Sequence, residues 1–361
     1  MRISLGPLLR RAAAGVLTLA TIGAPAAAAR TAAPPAPESE RLAFTQRYRA
    51  LQHGGIVRAA NSSISCRTAE ASCPAARAGA GAANGDFDMA YIDVDRDPNT
   101  YNSSRARLRL PAGARPSYAR LYWGGNLRVG EQKPPKDDGR VLIAEPGGRY
   151  KEVLADTVVG HRKAGGADAY QASADVTRLV RTSGSGLYTV AQVNVAKGRS
   201  AAGAWGGWTL VVAYEKAREP LRHLALWDGF QALGPGAELA VGARGLRLPV
   251  GAGGSAGLVA YNGDRGRTGD SLTLSTGRTA PVALGDGANP RDDVLNSTVS
   301  EPGAAPAERA PAYANTLGYD SDVFDLRTAL RSGGDQLAFR LVAPRDAAWA
   351  GALFVAVDAQ Q

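Results

Sequence analysis

Leu108 to Asn126 reads LRLPAGARPSYARLYWGGN, and Leu246 to Asp264 reads LRLPVGAGGSAGLVAYNGD; the two stretches pair without a gap at an offset of 138 residues. The echo continues from Asp175-Val176 to Asp322-Val323. It ends with Trp205 to Glu215 (WGGWTLVVAYE) against Trp349 to Asp358 (WAGALFVAVD). A repeat of this length is too long for a solenoid and is the size of one domain, so it predicts two tandem copies of one fold. Inside each copy, short runs rich in branched and aromatic residues (Ala119–Trp123, Tyr188–Val195, Thr209–Tyr214, Leu353–Val357) alternate with Gly and Pro turns. No sustained helical period is present. The expected fold is therefore all-β: two jelly-roll-like β-sandwiches related by internal duplication.

Working outward, Met1 to Ala29 has a basic start (Arg2, Arg10, Arg11), a short apolar run and an Ala-rich end. That pattern is a secretory signal peptide and is too short for a membrane span. The organisation then reads as a linker and N-terminal extension over 30–54, a first sandwich over 55–217 and a second over 218–361, with the boundary near Lys216 to Pro220. Phe44, Tyr48 and Leu51 suit a short amphipathic helix and a strand about equally well.

Export implies an oxidising compartment, and the two cysteines, Cys66 and Cys73, sit close together in SCRTAEASC. A disulfide that pins one local turn follows. The formal charge of +9 falls to +6 once Arg2, Arg10 and Arg11 leave with the signal. A modest positive balance without clustered Lys/Arg and interleaved aromatics argues against nucleic acid and favours anionic envelope polymers.

The candidate sites are few. Asp93, Asp95, Asp97 and Asn99 place oxygens at alternate positions, the opening of a calcium loop, although Pro98 excludes the EF-hand form. The competing reading is a polar turn. Asp228 stands as the counterpart of Asp93 in the second copy. Two further acid groups, Asp264 with Asp270 and Asp320-Asp322-Asp325, read as solvated loops. Trp123 and Trp227, at strand ends, are the candidate sugar-stacking aromatics. Gly253-Gly254-Ser255-Ala256-Gly257 matches G-x-S-x-G, but its counterpart Arg115 to Ala119 lies between two strands, so no nucleophile is assigned.

Asp175-Val176-Thr177-Arg178-Leu179 resembles the D-V-T-x-L strand entry of jelly-roll domains of the galactose-binding type. Over nearly the whole chain after the linker, RLAFTQRYRALQHGGIVRAANSSISC, YIDVDRDPNTYNSS, ARLYWGG, GWTLVVAYEKAREPLRHLALWDGFQAL and LGYDSDVFD resemble the N-terminal module of large secreted or wall-attached bacterial surface proteins. That family has no established activity. The resemblance implies a surface or adhesion context and supplies no catalytic residues. The chain departs from the pattern in ending after the module, without the repeats and anchor that follow it there. The combined expectation is a secreted, non-enzymatic protein that binds a cell-envelope glycan or surface protein, with calcium as the one cofactor considered. A protein-interaction module and a β-sandwich hydrolase or lyase are the alternatives.

Overall fold

The computed structural model describes residues 42–128, 138–303 and 308–360. The signal peptide and most of the linker read from the sequence lie outside them. The first part of the chain forms β1 (Leu42–Ser62), β2 (Ile64–Cys66), α1 (Cys73–Arg77), β3 (Met89–Tyr91), β4 (Ser103–Leu108) and β5 (Arg115–Asn126). It continues with β6 (Arg140–Ala144), β7 (Lys151–Leu154), β8 (Thr157–Ala164), β9 (Ala167–Asp175), α2 (Thr177–Ser183), β10 (Gly186–Ala191) and β11 (Gly206–Glu215). Next come β12 (Leu221–Ala232), β13 (Glu238–Leu248), β14 (Gly254–Tyr261), β15 (Ser271–Ser275), β16 (Val282–Ala283) and β17 (Val299–Ser300). The last elements are β18 (Arg309–Ala310), β19 (Tyr319–Asp325), α3 (Arg327–Leu330), β20 (Gly334–Val342) and β21 (Trp349–Asp358). The protein is all-β, as the strand and turn pattern predicts.

Ten strands are hydrogen-bonded in the order β17-β19-β14-β21-β12-β1-β11-β5-β9-β8. A five-stranded sheet, β18-β4-β10-β6-β7, and a four-stranded sheet, β13-β20-β15-β16, complete the main body. The strand order on one side of β1 resembles that on the other. Outward from β1, β11-β5-β9 resembles β21-β14-β19 once β12 takes the place of a second central strand, and β4-β10-β6-β7 resembles β13-β20-β15-β16; the edges differ, β8 running antiparallel to β9 and β17 parallel to β19.

The ten-stranded sheet folds back on itself. In its order β9 and β21 are five places apart, roughly 24 Å in a flat sheet at the usual strand spacing. Yet Gln171 Nε2 on β9 donates to the Gly351 carbonyl of β21 at 3.1 Å and to the Gly229 carbonyl of β12 at 2.9 Å. Tyr122 of β5 donates to Asp228 of β12 at 2.9 Å, and the Thr209 and Tyr319 hydroxyls of β11 and β19 meet at 2.7 Å. The bend is in β1. Up to His53 it pairs with β12, and from Gly54 onward with β11. Gly54 has φ 139°, and a Cβ there would lie 1.9 Å from the Tyr214 carbonyl oxygen, so only glycine passes.

The result is four layers and three main cores, beside two smaller clusters around Ile64 and Phe87 and around Ala213 and Leu224. Between the five-stranded sheet and the β11-β5-β9 layer lie Leu108, Leu121, Trp123, Ile143, Tyr188 and Val190. Between the four-stranded sheet and the β12-β21-β14 layer lie Trp227, Leu258, Leu272, Phe324, Phe339 and Leu353. The middle core, where the sheet meets itself, is the aromatic one: Tyr122, Trp205, Phe230, Tyr261, Tyr319 and Trp349. Trp205 and Trp349, matched in the sequence, thus meet in one shared core.

Several expectations change. The N-terminal extension assigned to 30–54 contains, from Leu42, half of the central strand; Phe44 packs against the second sandwich's core and Tyr48 stacks on Tyr118 with ring centroids 4.7 Å apart. The boundary at Lys216–Pro220 falls in the turn between β11 and β12, but the halves interlock across it. β1 serves both, and β18 from the second half pairs with β4 of the first. The described residues fall within one compact unit.

The ungapped pairing slips by one residue inside the strands. Leu108 and Leu110 pack inward as Leu246 and Leu248 do, but Ala119, Leu121 and Trp123 correspond to Ala256, Leu258 and Ala260. Alternate residues face opposite sides of a strand, so an offset of 138 would match Leu121 with Val259, which faces the middle core. The partner of Asp175 is Asp325 and not Asp322: each ends its strand and accepts the N–H two residues on, from Thr177 and from Arg327, at 2.8 Å.

Cys66 and Cys73 are joined, with Cα atoms 5.7 Å apart, tying the end of β2 to the start of α1. Among the described residues no helix is long and apolar enough to cross a membrane.

Candidate functional site

Trp123 and Trp227 are not surface aromatics. Trp123 is fully buried in the first sandwich and its Nε1 donates to the Asp138 carbonyl at 2.8 Å; Trp227 is buried in the second and tilts against Phe339. Both lie at inward positions of their strands, so neither offers a ring face to a sugar. Asp228, read as the counterpart of Asp93, sits in β12, buried and bonded to Arg47 at 2.8 Å. It belongs to the polar part of the middle core.

Asp93, Asp95, Asp97 and Asn99 share the loop before β4, where their oxygens are occupied locally. Asp93 accepts from Ser103 at 2.8 Å, Asp95 from the Asp97 N–H at 2.9 Å, and Asp97 from both the backbone and side-chain nitrogens of Asn99 at 2.9 and 2.8 Å. Asp95 and Asp97 each close a turn two residues on, which is the polar-turn geometry, and Asp93 is held by Ser103 at the start of β4. Among the described residues no three acidic, histidine or cysteine side chains are grouped to hold a metal ion.

That loop forms one wall of an open cleft of about 870 Å³. The opposite wall is the turn Glu145–Tyr150 between β6 and β7, and the floor is the outer face of the five-stranded sheet. Strand alternation builds the floor: Ala106 and Leu108 of β4 point into the core, so Arg105 and Arg107 point out, as do Leu187 and Thr189 of β10. Tyr150 crosses the cleft to donate its hydroxyl proton to Asp95. Burial works against it, but that bond and the one from Asp97 N–H hold Asp95 below the usual carboxylate range. Burial and the Asp95 carboxylate push the Tyr150 phenol up, so it stays a donor. Among the described residues the Arg105 side chain bonds only to Thr189, at 3.2 Å, and Arg107 is paired with Glu308. Arg149 is exposed and has no partner among the described residues. Sequence reasoning found Asp95 and Asp97 but missed Arg105, Arg149 and Tyr150, because long-range pairing brings them together.

Apart from Asp325, which is exposed and paired with Arg327, the other acid groups are not solvated loops. Asp270, Asp293, Asp320, Asp322 and Asp346 are all buried, and Asp264 nearly so. Backbone bonds knit them: Asp264 N–H to Asp346 at 2.8 Å, Gly266 N–H to Asp293 at 2.9 Å, Leu295 N–H to Asp270 at 2.6 Å and Thr298 N–H to Asp320 at 3.1 Å. Burial, reinforced by neighbouring carboxylates, pushes Asp264 and Asp270 up to about 6 and Asp346 up to about 7. Arg267 is the cation facing Asp264 and Asp346, at 3.6 and 3.9 Å. Ser255 of the G-x-S-x-G match lies within β14, paired with Asp325 and Ala356, with no strand-to-helix elbow around it.

No protein-family model and no curated protein matches the chain. Among solved structures, the major capsid protein P2 of bacteriophage PM2 is similar at 13% identity and TM-score 0.19, over 85% of this chain and 98% of that one. A structure of Sulfolobus Turreted Icosahedral Virus is similar at 9% identity and TM-score 0.22, over 85% and 91%. The major capsid protein of the same virus is similar at 11% identity and TM-score 0.21, over 71% and 92%. At these scores none of the three fixes a function for the chain. The all-β, jelly-roll-like assignment rests on the strands themselves.

Proposed function

We propose that this is a secreted, non-catalytic surface protein that binds a cell-envelope glycan, and that the cleft between Asp93–Asn99 and Glu145–Tyr150 is where it does so. The observation that carries the reading is the open polar cleft itself, with Arg105 on its sheet floor and Arg149 and Tyr150 in the turn that walls it. Sugars are recognised by converging hydrogen-bond donors and acceptors and by a ring against which they lie, and a site on strands holds those groups still. The signal-like N-terminus and the resemblance to surface-protein modules support the address. The test is a glycan array probed with the oxidised mature chain, with Tyr150→Ala and Arg149→Ala as controls. Wild-type binding lost in both variants supports the cleft. Binding unchanged by either moves the site elsewhere, and an array without hits, together with a protein partner captured from envelope extracts, favours the interaction-module reading.

A further inference from the structure

A second cleft, also of about 870 Å³, lies beside the first, and Ser185 in the turn before β10 lines both. Its walls come from β1, the β4–β5 turn, α2 and the end of β11, and its charged lining residues are Arg49, Arg115, Arg181 and Glu215. Tyr48 and Gln52 add polar groups, each within 3.1 Å of the Ser117 hydroxyl.

The charge left available in the two clefts is positive. On the acidic side, Glu145 is ion-paired with Lys151. Asp95 and Asp97, bonded by the uncharged Tyr150 and Asn99, keep their charge at one rim, as Glu215 does in the second cleft, so three carboxylates stand against the five guanidiniums of Arg49, Arg105, Arg115, Arg149 and Arg181. On the basic side, Arg49, Arg115 and Arg149 make no ion pair or hydrogen bond through their side chains among the described residues, and Arg105 has only a neutral hydroxyl. Arg181 uses Nε and Nη2 on the Pro116 and Ser117 carbonyls, which leaves its charge unneutralised. Arginine pairs with carboxylate, sulfate and phosphate through a fixed planar fork, and unpaired guanidiniums spread along a groove suit a repeating anion better than one compact charge.

We infer that the two clefts form one groove that takes an extended anionic polysaccharide, its acid groups spaced along Arg49 and Arg115 at one end and Arg105 and Arg149 at the other. The inference rests on the glycan-binding reading and narrows it to a ligand class and a second subsite.

The experiment measures binding of polygalacturonate, digalacturonate and a neutral galactan to the wild-type chain, to Arg149→Ala and to the double variant Arg49→Ala/Arg115→Ala, at low and high salt. All substituted residues are exposed or half-buried, and unchanged melting curves check the fold. The expected result is polymer binding that weakens with salt. Each lost arginine should weaken it roughly two- to fivefold, the range of exposed ion pairs. The double variant should lose polymer affinity and leave digalacturonate binding at the other subsite unchanged. Salt-insensitive binding of galactan equal to that of polygalacturonate overturns the anionic class and leaves the glycan reading standing. Polymer binding lowered by Arg149→Ala alone overturns the continuous groove. Failure of all three probes, with glycan-array hits of other kinds, overturns this inference only; failure of the array as well removes both.

Discussion

In the first sandwich the aspartates that drew notice in the sequence lie at the rim of an open cleft, their oxygens taken up by turns and Asp95 held acidic by its donors. In the second, Asp264, Asp270, Asp293 and Asp346 are sealed beneath loops with two arginines, Arg265 and Arg267, facing them, and burial raises all four. The strand orders of the two halves are similar, and the difference in charge belongs to the loops. One half presents its charge to solvent and the other withdraws it. The proposed recognition cleft lies in the first for that reason, and the second is expected to add a proton-linked contribution to stability.

The largest expected effect tests whether the halves are separable at all. A fragment beginning at Leu221 lacks β1, so β12 becomes an open edge, and the aromatic middle core, with Phe230, Tyr261, Tyr319 and Trp349, loses its opposite wall. Unpaired edges and large apolar patches drive association. The fragment is expected to be aggregated or unfolded by size-exclusion chromatography and circular dichroism. A soluble monomer with a cooperative melt would show that the halves are independent domains and that the shared strand is incidental.

A single substitution in that core comes next. Tyr261 is fully buried, touches Trp205, Phe230 and Tyr319, and donates to Gln171 at 3.0 Å across the fold-back. Tyr261→Ala should cost roughly 3–5 kcal/mol, the usual range for deleting a buried ring. Tyr261→Phe should cost about 1 kcal/mol, because Gln171 keeps its bonds to Gly229 and Gly351. Both halves should melt together in each variant. Two resolved transitions in a calorimetric scan would break the view that the middle core couples them.

How much of this was legible depended on the range of the interaction. Short-range features were: the alternation of β-branched runs and turns, the Cys66–Cys73 loop, and the inward Leu108/Leu110 and Leu246/Leu248 pairs. Register was not, because Gly and Ala fill the turns after Leu110 and after Leu248, and a one-residue shift there leaves the letters matched while reversing the faces of Leu121 and Val259. The fold-back at Gly54 was also hidden, since Gly54-Gly55 reads as any loop until its partners on β11 and β12 are known. Burial of Trp123 and of Asp270 follows from what covers them, and the covering segments are distant in sequence. Arg149 and Tyr150 carried no motif. They become a site only because their turn faces Asp95.

The acid cluster gives the next effect in size. Asp264, Asp270 and Asp346 have folded values raised to about 6, 6 and 7, against roughly 3.9 for a free aspartate. A raised acid binds its proton more tightly in the folded state, so its contribution is complete below about pH 4 and is lost as pH rises through about 6 to 7. Asp95, Asp156 and Glu219 are lowered instead, and their contributions fade only in acid, below about pH 4. Stability should therefore be greatest near pH 4–5 and fall by on the order of 3 kcal/mol toward pH 8. Asp346→Asn should flatten that decline, with the first sandwich's cleft unaffected. Melting temperatures that rise from pH 5 to 8 would refute the cluster's role. A decline abolished by millimolar magnesium would show that a hard cation replaces the protons.

The smallest expected effect is at Asp93–Asn99, and it decides between the two readings of that loop. Calcium takes six to eight oxygens, and a site would have to recruit carboxylates that now serve the Asp97 and Asn99 amides, Ser103 and Tyr150. Replacing those bonds removes the turn that positions the cleft wall, so binding would have to offset the loss of several local hydrogen bonds before any stabilisation appeared. A ligand that binds the folded state raises its stability in proportion to the logarithm of its excess over the dissociation constant. With the oxygens already satisfied, the melting temperature at neutral pH is expected to be the same in chelator and in millimolar calcium. Asp95→Ala should lower it slightly in both, through the loss of the Tyr150 and Asp97 bonds. A calcium-dependent rise that Asp95→Ala removes would instead make the loop a cation site. It would then oppose the second sandwich on different terms: one half neutralising its carboxylates with metal, the other with protons.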